Sequence, residues 1–536
     1  MNEFSFETRQ QNILRLQNET FDLLIIGGGI TGAGVARDAA LRGLKVGLIE
    51  ARDFAYGTSS RSSKLIHGGI RYLENMEFHL VFEALNERTK LFEIAPNLVH
   101  PLRFMIPLYE NSRVGMFKMG LGMWFYDALS LFQAPEMHER LNAKSSMERM
   151  PILEQAQLKG SFVYSDAYMD DDRLVHETLR SANEAGAVCV NYVKAQRSQM
   201  NSGTGKVTAL TAQDILTQKE FSISAKHVIS TVGPWTDLVG EKLVNDWKEI
   251  LRPTKGVHLT FRRDRLNLTS AVVMAAEKSD RIVFAIPRHE MVIVGTTDTD
   301  FKGRPEEAIV TAEDVKYLLD ITNKYFPGSE LKSSDIVASY AGVRPLVKDD
   351  SGTAGKTSRE HTIIHDPRGF TFVAGGKYTT YRLMSEQIVD QVSKFLPFEV
   401  SAQLNKCETW RPLNPMVERE TFEQAIESAP SELEKSLALR YGAEAKEILT
   451  KYGFTENIWA IEAQQAIHHT MCLTITDFYS RRVPLVLAEK DHGLKFLGEI
   501  AQIFEQELGL TKAQIDQQKL DLQNYLAHEF SWKKQL

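Results

Sequence analysis

Hydrophobic and polar positions along the chain fall into three textures. Phe21–Ile26 (FDLLII) is a short unbroken apolar run, the pattern of a strand buried on both faces, and it leads straight into a glycine turn. Thr31–Leu44 then reads as a helix ending near Gly43, and Lys45–Ile49 (KVGLI) as a second buried strand closed by Glu50. From about 160 to 380, short β-branched and aromatic runs alternate with turns. Val228–Thr231, Ile282–Ile286, Val292–Val294 and Phe370–Ala374 are the clearest predicted strands. After roughly 410 Gly and Pro thin out, and Ser431–Gly453 carries helical spacing with i, i+4 charge pairs. The predicted fold is α/β (α+β overall), with a separate α-helical domain over 410–536 joined near Trp410–Pro415. No solenoid or propeller period and no low-complexity tract interrupts this order.

The first texture carries the sharpest chemistry. Gly27-Gly28-Gly29-Ile30-Thr31-Gly32 satisfies G-x-G-x-x-G between a strand and a helix, and Glu50 lies 23 positions after Gly27 at the end of the next strand. Gly27 permits the tight turn, Gly29 the approach of backbone N–H groups to a pyrophosphate, and Gly32 close helix–strand packing. The helix N-terminus offers partial positive charge to the phosphates, and Glu50 accepts from ribose hydroxyls. These features predict dinucleotide binding. The loop Gly57–Lys64 (GTSSRSSK) followed by Leu65–Tyr72 (LIHGGIRY) is dense in hydroxyls and small residues, suited to lie along a long polar cofactor. A second strand–glycine–helix junction, Phe370–Ala374 into Gly375-Gly376-Lys377, stands some 350 residues later. A helix start there would stabilise charge gathering on a reduced flavin. Two such junctions favour FAD over NAD.

Composition narrows the setting. At about 150 residues per domain, 536 residues suggest two to four domains. With 63 basic and 70 acidic residues the net charge is −7, which gives no global attraction to nucleic acid, and no nucleic-acid motif is found. Cys189, Cys407 and Cys472 make no C-x-x-C pair or disulfide framework, in keeping with a reducing compartment. His468-His469 is an isolated pair on a predicted helix, and no metal site is expected. The first twenty residues are polar, so no signal peptide is expected, and no run approaches the ~18 apolar residues needed to span a bilayer.

At this point the sequence resembles a known family. The run from Leu24 to Glu74 (LIIGGGITGAGVARDAALRGLKVGLIEARDFAYGTSSRSSKLIHGGIRYLE) is similar to the FAD-binding opening of the FAD-dependent, quinone-linked glycerol-3-phosphate dehydrogenases. These belong to the D-amino-acid-oxidase-like flavoproteins. Tyr164–Asp172 (YSDAYMDDD), Thr231–Trp235 (TVGPW), Gly295–Asp298 (GTTD), Ala341–Leu346 (AGVRPL) and Gly375–Arg382 (GGKYTTYR) agree with it. The resemblance implies a discontinuous Rossmann-like FAD-binding domain (20–100, 160–255 and 360–405). Interleaved with it is a mixed-sheet substrate domain (101–159 and 256–359), and a helical cap (410–536) follows. It further implies oxidation of sn-glycerol 3-phosphate to dihydroxyacetone phosphate, with electrons passed to membrane quinone. The alternatives are an α-glycerophosphate oxidase that uses O2, and a non-catalytic flavin-binding sensor. Peripheral attachment to the cytoplasmic membrane face and homodimerisation are also implied.

Carried over residue by residue, non-covalent FAD contacts fall on Gly27, Gly28, Gly29, Thr31, Gly32, Glu50, Thr58, Ser59, Ser60, Ser63, Lys64, Leu65, His67 and Gly68. Gly233, Trp235, Gly375, Gly376, Lys377 and Thr379 complete that set. Phosphate recognition calls for permanently charged, multidentate arginines, matched by Arg71 (with Tyr72), Arg344 and Arg359. His258 aligns with the base for the substrate hydroxyl, with His67 its competitor in sequence terms. Lys377 is placed to touch the substrate oxygen or the flavin N1–C2 edge. The catalytic set is therefore His258, Arg344 and Lys377. One stretch stays open: Arg113–Phe132 (RVGMFKMGLGMWFYDALSLF) reads either as an interfacial membrane helix or as substrate-domain core.

Overall fold

The computed structural model describes residues 3–70, 73, 76–275, 281–348, 361–453 and 457–535. The predicted strand at the start is Thr20–Ile26, and it lies at the centre of a parallel core. Its neighbours are Glu220–Ser230 on one side, then Phe370–Gly375, and Val46–Ile49 on the other, then Val188–Val190. His361–Asp366 extends this sheet antiparallel at one edge, and the pair Val193–Met200 and Val207–Asp214 folds back onto Glu220–Ser230. Leu23 and Ile25 are fully buried under a layer of helices Ile30–Leu41, Asp171–Glu184 and Tyr381–Val392, and Leu24, on the opposite face, is buried in a cluster with Leu16, Val193 and Leu210. This explains the unbroken apolar run: a parallel strand covered on both faces has no solvent side to alternate toward. The glycine turn falls at the carboxyl end of the central strand, where open α/β sheets bind ligands.

The second sheet is mainly antiparallel. Its order is Thr299–Asp300, Leu251–Arg262, Met291–Gly295, Ile282–Arg288, Ala271–Ala275, Val99–Tyr109, Leu158–Met169 and Leu65–Ile66, with Ile336–Val347 also on Leu251–Arg262 and Glu139–Asn142 on Leu158–Met169. The chain thus enters each sheet repeatedly, and the expected cuts at 101 and 160 do not follow the pairing. Leu158–Met169, expected within the cofactor segment 160–255, pairs with Val99–Tyr109 along the whole length from Val99↔Met169 to Tyr109↔Leu158. Leu65–Ile66 joins the same sheet through Leu158–Met169. Strand text of this kind fits either sheet; only the long-range partner assigns it.

The polar N-terminal stretch forms helix Phe6–Asn18, capped by the Ser5 hydroxyl. Arg9 is buried against Asp214 at 2.6 Å, Asn12 donates to the Cys189 carbonyl, and Leu16 packs under the parallel sheet. Phe4 exchanges backbone hydrogen bonds with the helical domain, at His468 and Met471. From 410 onward the described residues form helices and no strand, and Ser431–Gly453 divides into Glu432–Tyr441 and Glu444–Tyr452 around Gly442. Buried charges tie this domain down: Asp53, fully buried, accepts from Arg481 Nε at 2.7 Å and from Arg482 at 2.8 and 3.0 Å.

Helix Met116–Leu129 resolves the open stretch into two faces. Met123, Tyr126 and Asp127 are buried. Phe117, Leu121, Trp124 and Phe125 are 80%, 58%, 61% and 42% exposed, an outward stripe at helical spacing. Among the described residues no helix is long and apolar enough to cross a membrane.

Candidate active site

A cavity of about 830 Å3 is bounded by residues of both sheets, within the size range of cofactor pockets. At one end Gly27 holds φ +108°, and a Cβ there would stand 2.8 Å from the Thr231 carbonyl oxygen. A Cβ at Gly32 would stand 1.9 Å from the Gly27 carbonyl oxygen, so helix Ile30–Leu41 starts this close to the strand only because position 32 is glycine. Gly27, Gly29 and Thr31 line the cavity. The helix start therefore offers N–H groups and partial positive charge to an anion. The Ser59 hydroxyl accepts from the Ile30 N–H at 3.0 Å. Glu50 also lines this end and accepts from the Gly28 and Arg52 N–H groups, both at 2.8 Å; desolvation raises its carboxyl above the usual range.

The far end is set by strand register. Leu251–Arg262 pairs on one side with Met291–Gly295 and on the other with Ile336–Val347, so His258 lies opposite both Gly295 and Tyr340, and Arg344 opposite Thr254. Residues four apart on a strand share a face, which brings His258 and Arg344 to the same cavity. The His258 ring stacks on Tyr340 with centroids 4.8 Å apart, and its Nε2 is hydrogen-bonded to Ser63 Oγ at 2.8 Å. Burial first, then the Arg344 and Lys64 charges, hold the His258 imidazole well below its ordinary pKa, so it is neutral at pH 7. The Arg344 guanidinium donates to Thr296 Oγ1 at 2.9 Å, Asp298 Oδ1 at 3.2 Å and the Thr297 carbonyl at 3.3 Å. The GTTD and GVRPL blocks are thus one constellation. Gly375 and Gly376 take positive φ and bring Lys377 to the cavity, although a 3-10 turn, Tyr378–Thr380, precedes helix Tyr381–Val392.

The structure gathers most of the residues expected from the sequence. Thr58, Ser59, Ser63, Leu65, His67, Gly233, Trp235, Gly375, Gly376, Lys377 and Thr379 line the same cavity. Gly28, Gly32, Ser60, Lys64 and Gly68, expected as cofactor contacts, are not among its lining residues. The Lys64 ammonium is buried in an ion pair with Asp171, and the Gly68 N–H donates to Asp166. Ser60 Oγ donates to the Gly57 carbonyl at 3.5 Å. Arg71, Tyr72 and Arg359 lie outside the described residues. Sequence reasoning missed Asp171, Thr296, Asp298 and Tyr340 as site-building residues. Asp171, Thr296 and Asp298 lie in visible motifs and Tyr340 just before one, but the partners are far along the chain.

The FAD dependent oxidoreductase family model matches residues 22–382, the span of nearly all strands of both sheets. A model of the C-terminal domain of alpha-glycerophosphate oxidase matches 418–515. The aerobic glycerol-3-phosphate dehydrogenase of Staphylococcus saprophyticus is 35% identical, over 96% of this chain and 96% of its own. The chain belongs to the FAD-dependent glycerol-3-phosphate dehydrogenase family. The Bacillus subtilis member is likewise 35% identical, over 94% of this chain and 95% of its own. The crystal structure of the dehydrogenase from Bacillus halodurans, complexed with FAD, is 29% identical with a TM-score of 0.80, covering 98% of each chain. In this dehydrogenase-family fold, the fingerprint and the His258–Arg344 pair line a single cavity.

Proposed function

We propose that the protein binds FAD non-covalently and oxidises sn-glycerol 3-phosphate to dihydroxyacetone phosphate. The observation carrying this reading is that a neutral, buried His258 and a permanently charged, anchored Arg344 line the same cavity as a dinucleotide fingerprint. The residues fit the cofactor: the cradle at Gly27 and Gly29, the helix start and Glu50 suit an adenosine diphosphate, and Lys377 suits the flavin pyrimidine edge. When bound, FAD supplies the acceptor for the C2 hydride at N5, and its electrons go on to membrane quinone.

The chain's own residues bind and deprotonate. Arg344, with Arg71, Tyr72 and Arg359, holds the phosphate, since only guanidinium groups present a fixed fork to it. Lys377 steadies the substrate oxygen or the flavin edge, and His258 receives the hydroxyl proton. The outward stripe Phe117–Phe125 supports peripheral attachment to the inner face of the cell membrane, where quinone resides.

The test is anaerobic mixing of the purified holoprotein with glycerol 3-phosphate while following flavin absorbance. Bleaching reversed faster by a quinone analogue than by air is the expected result. Bleaching reversed at once by air with peroxide released would make the protein an oxidase. A flavin that never bleaches would overturn the substrate.

A further inference from the structure

We propose that Ser63 relays the substrate proton to His258; the inference rests on the reading of His258 as the base. His258 is only 1% exposed, and its ring is sandwiched between strands. Tyr340 stacks on it, and a Cβ added at Gly295 would fall 2.2 Å from its Cδ2. Its Nδ1 is closed off and has no hydrogen-bond partner among the described residues. Nε2 is therefore the nitrogen that exchanges a proton with the cavity, and Ser63 Oγ already occupies it at 2.8 Å. Ser63 lines the cavity and is more exposed than His258, so the hydroxyl is the cavity-side partner of the base.

The loop carrying Ser63 is held on both flanks. Ser62 Oγ donates to Asp171 Oδ2 at 2.7 Å and accepts from the Lys64 N–H at 2.9 Å. The Tyr340 hydroxyl donates to the Ser62 carbonyl at 2.9 Å. Lys64, at φ +53°, sends its ammonium to Asp171, away from the cavity. Tyr340 thus touches both the base and the loop that presents Ser63. Such fixed placement is what proton transfer through a hydroxyl demands, because misplacement of about 1 Å is costly to rate.

The substrate C2–H bond breaks and its hydride, with two electrons, leaves for the oxidised FAD of the proposed function. The substrate O–H bond breaks, its proton passes to Ser63 Oγ, and the Ser63 hydroxyl proton passes to His258 Nε2. The C=O bond forms, Ser63 is regenerated and His258 ends as imidazolium. The receiving tautomer of His258 carries its single proton on Nδ1.

The experiment uses the holoprotein. Ser63→Ala is expected to slow anaerobic flavin reduction by glycerol 3-phosphate about 100-fold or more, with substrate Kd within about threefold and FAD content unchanged. Ser63→Thr, which keeps a hydroxyl, recovers most of the rate. His258→Ala and the double variant Ser63→Ala/His258→Ala reduce equally slowly, since the two groups act in series. A wild-type rate in Ser63→Ala beside a slow His258→Ala would overturn the relay alone. A double variant slower than His258→Ala by the full Ser63 factor would overturn it too. A wild-type rate in His258→Ala removes the base and the relay together. Independently of turnover, 15N spectra of histidine-labelled holoprotein should show His258 Nε2 as an unprotonated, hydrogen-bonded acceptor whose shift moves in Ser63→Ala. A proton on Nε2 overturns the relay.

Discussion

Gly295→Ala offers the most direct test of the far end of the cavity. Gly295 faces His258 across the strand pair, and a Cβ there would sit 2.2 Å from His258 Cδ2, 2.8 Å from Cγ and 2.9 Å from Nε2. Ordinary contact begins near 3.4 Å, so the imidazole must retreat by about 1.2 Å. It has little freedom to do so, being stacked on Tyr340 on the opposite side of its strand. Overpacking of this kind costs about 1–3 kcal/mol of stability. The effect on chemistry is larger, because a displacement of about 1 Å in a reacting group costs on the order of 100-fold in rate. The predicted signature is normal FAD content, a modest fall in thermal midpoint and an anaerobic flavin reduction rate down about 100-fold, measured by stopped-flow absorbance. A variant that binds FAD and reduces within threefold of wild type would refute the assignment of His258 as the base.

Arg344→Lys loses the planar fork held by Thr296 and Asp298 and should raise the KM for glycerol 3-phosphate about 10- to 100-fold; a wild-type KM would place the phosphate elsewhere. Asp53→Asn leaves Arg481 and Arg482 buried without their carboxylate and should remove about 3–5 kcal/mol; an unchanged urea midpoint would sink the idea that this network anchors the helical domain. His176, His227 and His258 are buried and held neutral, the desolvation of His227 bringing it down to about 4. The unfolded chain protonates them near pH 6.5, so it binds more protons below that pH and stability falls as acid is added. Each removes about 1.4 kcal/mol by pH 5.5, and a calorimetric midpoint flat from pH 7 to 5.5 would contradict the burial. Trp124→Gln with Phe125→Gln should weaken cosedimentation with anionic vesicles about tenfold or more while FAD is retained; undiminished binding would show that this stripe does not meet the membrane.

The sequence by itself determined what local backbone physics enforces. Gly27 and Gly32 sit where a tight turn and a close helix start tolerate no side chain, so the fingerprint was legible without any partner. The apolar run at Phe21–Ile26 and the helical spacing after 410 were legible for the same reason, since periodicity reports burial directly. The motifs GTTD, GVRPL and GGKYTTYR were visible as blocks. Only the tertiary structure decided which of them meet. Leu158–Met169 reads alike for either sheet, and its pairing with Val99–Tyr109 assigns it. Lys64 lies in the cofactor loop by sequence, yet its φ of +53° and the distant Asp171 keep it out of the cavity lining. Ser63 and His258 are 195 positions apart, and no local propensity couples them. The two faces of Met116–Leu129 likewise became distinct only when one of them found the core. Local conformational preference is written within a few residues of each position, whereas strand partnership and side-chain pairing depend on contacts across the whole chain.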